Sequence, residues 1–248
     1  MRDARATVEV VIDGQEVEAF EGETVLQAAR RHDIPIPALC YLEGLSEWGA
    51  CRLCVVQVAE HPGLRPACAL PVEHDMEITT HSDRIDRHRR ALLELLFAEG
   101  NHVCAVCVSN GACELQDAAV ASGMDHVRFD QQAPLRVIDA SHSRFVSDPN
   151  RCILCTRCVR VCHEIEGAHV WDVAGRGRDA HLVAELGKPW GESVSCTGCG
   201  KCVAVCPTGA LHYQGNAAGE MRHRPDLVAR LVSAREDHEW IAPEADDD

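Results

Sequence analysis

The sequence predicts an α+β chain of three modules in series, held together by bound metal as much as by an apolar core. Two patterns predict it: a period-two hairpin and helix signal ahead of the first cysteine, and one cysteine spacing that occurs twice in the second half. Composition agrees. Aromatic residues make up 4% of the 248, and the 46% apolar fraction counts 15 cysteines. Conventional core-formers are therefore scarce, and metal bound by cysteine is the natural source of further stability.

In the first module, Thr7 to Ile12 alternates apolar and polar, Asp13-Gly14 is a hairpin turn signal, and Gln15 to Phe20 alternates again. Thr24 offers an N-cap for a helix through Ala28, Ala29 and Arg30, which has to end before Pro35 and Pro37. Cys40, Cys51, Cys54 and Cys68 follow in a C-x10-C-x2-C-x13-C pattern. A zinc site would prefer two close cysteine pairs, and only Cys51 and Cys54 are close here. Hairpin, helix and cysteine loop together resemble the β-grasp of plant-type [2Fe–2S] ferredoxins, although the spacing departs from the plant-type C-x4-C-x2-C. The wider first gap looks instead like the N-terminal domain of the large iron–sulfur subunit of respiratory complex I and its relatives.

The second module opens on a helix capped by Ser82, with Ile85, Leu92, Leu93, Leu95, Leu96 and Phe97 on its apolar side and Gly100 as a C-cap. That helix delivers the chain into His102, Cys104, Cys107 and Cys113. Three cysteines leave one corner of a cubane open, and a histidine can fill it. Complex I relatives carry that histidine four residues before the first cysteine, where this chain has Gly100. The run Asn101-His102-Val103-Cys104 is similar instead to the loop of soluble NAD-reducing hydrogenases.

The third module carries the most specific signal. Cys152, Cys155, Cys158 and Cys162 make C-x2-C-x2-C-x3-C, and Cys196, Cys199, Cys202 and Cys206 repeat it, with Pro207 directly after. This is an internal duplication that resembles the bacterial two-[4Fe–4S] ferredoxins, in which the fourth cysteine of each run serves the other cluster. The resemblance implies one cubane on Cys152, Cys155, Cys158 and Cys206, and another on Cys196, Cys199, Cys202 and Cys162. These sets use every cysteine, leaving no thiol for nucleophilic catalysis or a disulfide.

Other chemistries lack their residues. Gly175-Arg176-Gly177 has no third glycine in register and reads as a turn; there is no Walker loop, nucleophile elbow or H-E-x-x-H. The net charge of −15 argues against nucleic acid or an anionic membrane as partner. Neither a signal peptide nor a membrane span is expected, so a cytoplasmic location follows, where thiols favour metal over disulfides. Pro225 to Glu236 has a helix pattern with Leu227, Val228, Leu231 and Val232 on one face, suited to docking a partner or to packing on the chain's own ferredoxin-like domain. An acidic end of Glu236, Asp237, Glu239, Glu244, Asp246, Asp247 and Asp248 follows.

From Thr7 to about Tyr213 the chain resembles the diaphorase iron–sulfur subunit of cytoplasmic NAD-reducing bidirectional [NiFe] hydrogenases. Phe97-Ala98-Glu99, Cys113-Glu114-Leu115-Gln116, Glu166-Gly167-Ala168-His169 and Trp171-Asp172-Val173-Ala174-Gly175 carry the likeness. It implies a β-grasp [2Fe–2S] domain (1–78), a segment with a cubane held by one histidine and three cysteines (79–145), a two-[4Fe–4S] ferredoxin-like domain (146–215) and a docking tail (216–248). It also implies an electron-transfer subunit with no substrate site of its own. Its partners would be an FMN/NAD-binding diaphorase subunit and the [NiFe] hydrogenase small and large subunits. The same relay in a formate dehydrogenase or a complex I-like enzyme, and a zinc-stabilised scaffold, are the alternatives.

Overall fold

The computed structural model describes residues 6–132 and 134–239. Residues 1–5 of the first expected domain, and Glu244, Asp246, Asp247 and Asp248 of the acidic end, lie outside them.

Strands β1 (Thr7–Ile12) and β2 (Gln15–Phe20) pair antiparallel, with Thr7 opposite Phe20 and Ile12 opposite Gln15. Asp13 and Gly14 turn the chain at φ of 51° and 79°, the left-handed pair that a two-residue hairpin loop requires. Helix α1 (Val25–Arg31) starts on a capping box: Thr24 Oγ1 accepts from the Gln27 N–H, and Gln27 Oε1 accepts from the Thr24 N–H. It buries Val25, Leu26, Ala28 and Ala29. Strands β3 (Val55–Val58), β4 (Leu64–Pro66) and β5 (Glu77–Thr79) complete a five-stranded sheet in the order β2-β1-β5-β3-β4, with only the β1–β5 pair parallel. Val10, Ile12, Val17, Leu26, Val56 and Ile78 form its core. The Asp13 carboxylate accepts from the N–H and hydroxyl of Thr80, tying the hairpin turn to the end of β5.

Helix α2 (Asp83–Glu99) is capped by Ser82, whose hydroxyl accepts from the Ile85 N–H, and its first turn carries Asp83 and Asp86, favourable charges at a helix N-terminus. Gly100 occupies the C-cap position in extended rather than left-handed backbone. A short helix α3 (Glu114–Ala121) packs beside α2, and Leu39, Leu53, Leu93, Cys113 and Leu115 form a small core that joins the first two modules.

Four short strands build the third module: β6 (Phe145–Ser147), β7 (Trp171–Ala174), β8 (His181–Ala184) and β9 (Leu211–Tyr213). β6 pairs with β9 and so closes the module's two ends on each other, whereas β7 and β8 form a hairpin between the cysteine runs. Gly175-Arg176-Gly177 lies in the turn of that hairpin, as the sequence implies. Helix α4 (Arg157–Arg160) passes directly into a π-helical stretch, Val161–Glu166, and α5 (Lys201–Ala204) is its counterpart in the second run. Cys158, Cys162, Cys202 and Cys206 are core residues here, buried beside Phe145, Trp171, Trp190 and Leu211.

Helix α6 (Leu227–Glu236) packs onto its own chain. Val228 is fully buried in the core shared with Leu42 and Leu45, and Val232 packs against it. A Cβ at Gly44 would meet Val228 Cγ1 at 3.0 Å. Two of the four residues expected on a docking face thus serve the internal core.

Candidate metal centres

The two cysteine runs share one backbone shape, so the duplication seen in sequence is a duplication of conformation. The residues before and after the second cysteine are left-handed in both: Leu154 (φ 52°) and Thr156 (φ 60°) in the first run, Gly198 (φ 67°) and Gly200 (φ 74°) in the second. The second run meets this with glycine. The first holds a leucine and a β-branched threonine there, at a strain of about 1–3 kcal/mol each. The curl turns three thiols of each run inward.

Cys152, Cys155 and Cys158 line a cavity with about 380 Å³ of empty space, and the fourth cysteine lining it is Cys206. Cys196, Cys199 and Cys202 line a second, of about 320 Å³, together with Cys162. The structure therefore groups the sulfurs in the crossed manner. Cys162 sits in the π-helical stretch and Cys206 just beyond α5, so each helix carries its fourth thiol away from its own run. Backbone N–H groups point at sulfur: Leu154 to Cys152 at 3.4 Å, and Val170 to Cys162 at 3.3 Å.

A third cavity, of about 280 Å³, is lined by His102, Cys104, Cys107 and Cys113, with Arg151, Thr208 and Gly209 on the opposite wall. His102 Nε2 is buried there with no hydrogen-bond partner. Burial holds the imidazole down to about 4, and its other side bonds the Leu96 backbone. A neutral imidazole with one anchored nitrogen and one bare nitrogen, among three thiols, has the form of a metal ligand. Gly100 explains the histidine's shifted position: a Cβ there would fall 2.2 Å from His102 Nε2. The ring occupies the space that a side chain at position 100 would take. Close approach also accounts for Gly209, where a Cβ would lie 2.6 Å from Cys107 Sγ.

In the first module Cys40, Cys54 and Cys68 are buried and Cys51 partly so. Cys51 Sγ accepts from the Leu39 N–H at 3.4 Å. Side-chain interaction with Cys51 and Cys68 holds the Cys40 thiol well below its ordinary range, and the same coupling holds Cys51 and Cys68 above it. In the second half burial pushes Cys152 up to about 12 and Cys155 to about 11, and raises Cys158, Cys162, Cys202 and Cys206. Burial likewise lifts Cys113 to about 11. Four buried sulfurs cannot all ionise in such a site unless a cation is bound among them. The donor sets therefore fit iron–sulfur clusters, as four groups of soft, mostly buried ligands.

Three arginines that sequence reasoning passed over serve these sites. Arg89 of α2, 5% exposed, donates to the carbonyls of Leu53 and Val55 on either side of Cys54. Arg157 of α4 donates to the Tyr41 carbonyl at 3.0 Å and forms a fork with the Glu114 carboxylate. Arg160 donates to the carbonyls of Cys40, Ser46 and Cys155. No motif marks them in the sequence; only the fold reveals their contacts with the first module. The Cys152 cavity stands in the middle: Thr208 borders both it and the His102 cavity, Arg160 links it to the Cys40 loop, and α4 connects it to Cys162.

Family models match along the chain: a 2Fe-2S iron–sulfur cluster binding domain over residues 5–83, the NADH-ubiquinone oxidoreductase-G iron–sulfur binding region over 89–128, and the ferredoxin-like domain of NADH-quinone oxidoreductase subunit 3 over 144–212. Among curated relatives, the NADP-reducing hydrogenase subunit HndD of Solidesulfovibrio fructosivorans is 38% identical over 91% of this chain and 40% of its own length. The NADPH-Fe(3+) oxidoreductase subunit alpha of Geobacter sulfurreducens (strain DL-1 / KN400) is 37% identical over 82% of this chain and 24% of its own. The chain thus spans a quarter to two-fifths of those relatives. A chain of the solved NAD+-reducing [NiFe]-hydrogenase in the H2-reduced state superposes with a TM-score of 0.80 at 38% identity, covering 86% of this chain and 89% of that one. With one relative matched over nearly its whole length and all three family models in order, the chain belongs to the family of iron–sulfur electron-transfer subunits found in NAD+-reducing [NiFe]-hydrogenase and in the complex I-type NADH dehydrogenases.

Proposed function

We propose that this chain is a relay that passes single electrons between a [NiFe] hydrogenase module, with its small and large subunits, and an FMN/NAD(H)-binding diaphorase subunit. Cys40, Cys51, Cys54 and Cys68 would hold a [2Fe–2S] cluster. His102, Cys104, Cys107 and Cys113 would hold a [4Fe–4S] cluster, as would Cys152, Cys155, Cys158 and Cys206, and Cys162, Cys196, Cys199 and Cys202. When bound, the clusters supply one-electron redox chemistry.

The chain's own residues do the rest. The thiolates and His102 anchor the metal, backbone N–H groups such as those of Leu39, Leu154 and Val170 support ligand sulfurs, and burial of most of the ligands limits water at the sites. The chain supplies no substrate site in this reading, and the complex works in the cytoplasm; no described helix is long and apolar enough to cross a membrane. The observation that carries the reading is the convergence of all 15 cysteines and one orphaned histidine into four sets, in a chain that aligns with 89% of a hydrogenase subunit.

Anaerobic purification of the native complex through a tag on this chain tests it. Co-purifying hydrogenase and flavin subunits with H2-dependent NAD+ reduction are expected. Formate-dependent NAD+ reduction without hydrogenase activity would move the relay to the alternative assembly, and a colourless zinc protein would end the reading.

A further inference from the structure

Arg160 differs from the chain's surface arginines in three respects. It is 5% exposed; it bears hydrogen bonds to two cysteine loops at once; and among the described residues it forms no ion pair with a carboxylate. Nη2 donates to the Cys40 carbonyl at 2.5 Å and, at 3.4 Å, to the Cys155 carbonyl; Nη1 donates to Ser46 O at 2.5 Å, and Nε to Thr156 Oγ1 at 3.3 Å. The adjacent carboxylate, Glu164, accepts from the N–H and hydroxyl of Ser46 instead. Its neighbour Arg157 shows the other solution: equally buried and equally close to the Cys40 loop, it is neutralised by Glu114. A guanidinium remains charged under any ordinary condition, so a positive charge with Glu164 nearby but no direct ion pair sits between two candidate centres, where water screens it little.

We infer that Arg160 is a positioning residue that sets the reduction potentials of the two centres it bridges, the one on the Cys40 loop and the one on Cys152, Cys155, Cys158 and Cys206, while holding the loops in register. This rests on the proposed iron–sulfur reading. Each centre, on reduction, takes one electron from the titrant and gains one unit of negative charge without bond breakage. A fixed cation beside it favours the reduced form and so raises the potential. The centre on Cys162, Cys196, Cys199 and Cys202 has its own half-buried cation, Lys201 paired with Glu166, and among the described residues the Arg160 fork makes no hydrogen bond to its ligands.

The test is a spectroscopically monitored redox titration of the full chain as Arg160→Gln and Arg160→Lys, with iron content measured on the same samples. In Arg160→Gln the ratio of reduced to oxidised centre at a fixed potential should fall about tenfold at both bridged centres, ~59 mV for a one-electron couple. The centre of Cys162, Cys196, Cys199 and Cys202 should not move, and Arg160→Lys should restore most of the shift. Full iron with unchanged potentials in Arg160→Gln overturns the inference, as does a shift shared equally by all centres. If Arg160→Gln loses iron, Arg160→Lys alone decides: potentials within threefold of wild type support the role of charge, and a tenfold fall contradicts it. Iron loss in both variants would make Arg160 a folding residue and overturn the inference. Failure of the iron–sulfur reading itself would show separately, as absence of iron in the unmodified chain.

Discussion

The first and third modules bury cysteines in opposite ways. In the first, Cys54 and Cys68 are buried within an aliphatic core of Val10, Ile12, Val17, Leu26, Val56 and Ile78, spanned by a five-stranded sheet and a capped helix. The third has two separate two-stranded pieces and helices of four residues, and Cys158, Cys162, Cys202 and Cys206 are themselves the centre of its core. A two-stranded ribbon is marginal alone, and four-residue helices add little regular hydrogen bonding, so the third module has less secondary structure than the first to hold its sulfur-lined core when metal is absent. The first module is a protein fold that accommodates a site; the third is a site that organises a fold.

Iron removal tests this contrast hardest. Anaerobic chelation should abolish hydrogen-exchange protection at Val203 and Val205 while that of Val10 and Ile12 in β1 persists, because metal-binding energy counts most toward folding where regular structure is least. Equal loss, or equal retention, in the two modules would erase the distinction.

The next largest effects come from single ligands. Cys206→Ala should disturb the centre of Cys152, Cys155 and Cys158, and Cys162→Ala that of Cys196, Cys199 and Cys202, as the cavities group them. Cluster-resolved spectra of the two variants check this; damage confined to each variant's own run would refute the crossed grouping. Because each fourth cysteine comes from the other half of the module, either loss should also loosen both halves.

A narrower effect belongs to the middle module. His102→Ala should change the spectrum and potential of only the centre lined by Cys104, Cys107 and Cys113. Gly100→Ala should reach the same centre by another route, since its Cβ would fall 2.2 Å from His102 Nε2 and push the ring aside. An unaltered spectrum in both would transfer the fourth position to another group.

The smallest effect is purely structural. Thr24→Ala removes half of the capping box of α1 and should cost about 1 kcal/mol of first-module stability, read by thermal melting, with every centre's spectrum unchanged. A spectral change there would mean that the first module leans on its metal as the third does.

Much of this molecule could be read from residues because its signals are local. The Asp13-Gly14 turn, the caps at Thr24 and Ser82 and the two cysteine runs each act within a few positions, and the chain carries them out at those places. What could not be read depends on contacts across long separations. Strands β3 to β5 exist only because β5 reaches back to lie parallel to β1. No motif marks Arg89, Arg157 and Arg160, whose contacts only the fold reveals. For Val228 and Val232 the residues left two readings open, a docking stripe or packing on the chain's own ferredoxin-like domain, and contact with Gly44 and the core around Leu45 decides for internal packing. The extended backbone at Gly100 belongs to the same class, because its cause is an imidazole folded back from position 102.

The central claim is that four sets of ligands hold four iron–sulfur centres in one chain. Anaerobic reconstitution followed by iron and sulfide analysis, together with an electron-paramagnetic-resonance titration, tests it most directly. The account predicts saturation at about 14 irons per chain and four centres that each take one electron. Saturation that holds near ~10 irons, one cubane short, or zinc in place of iron, would contradict it.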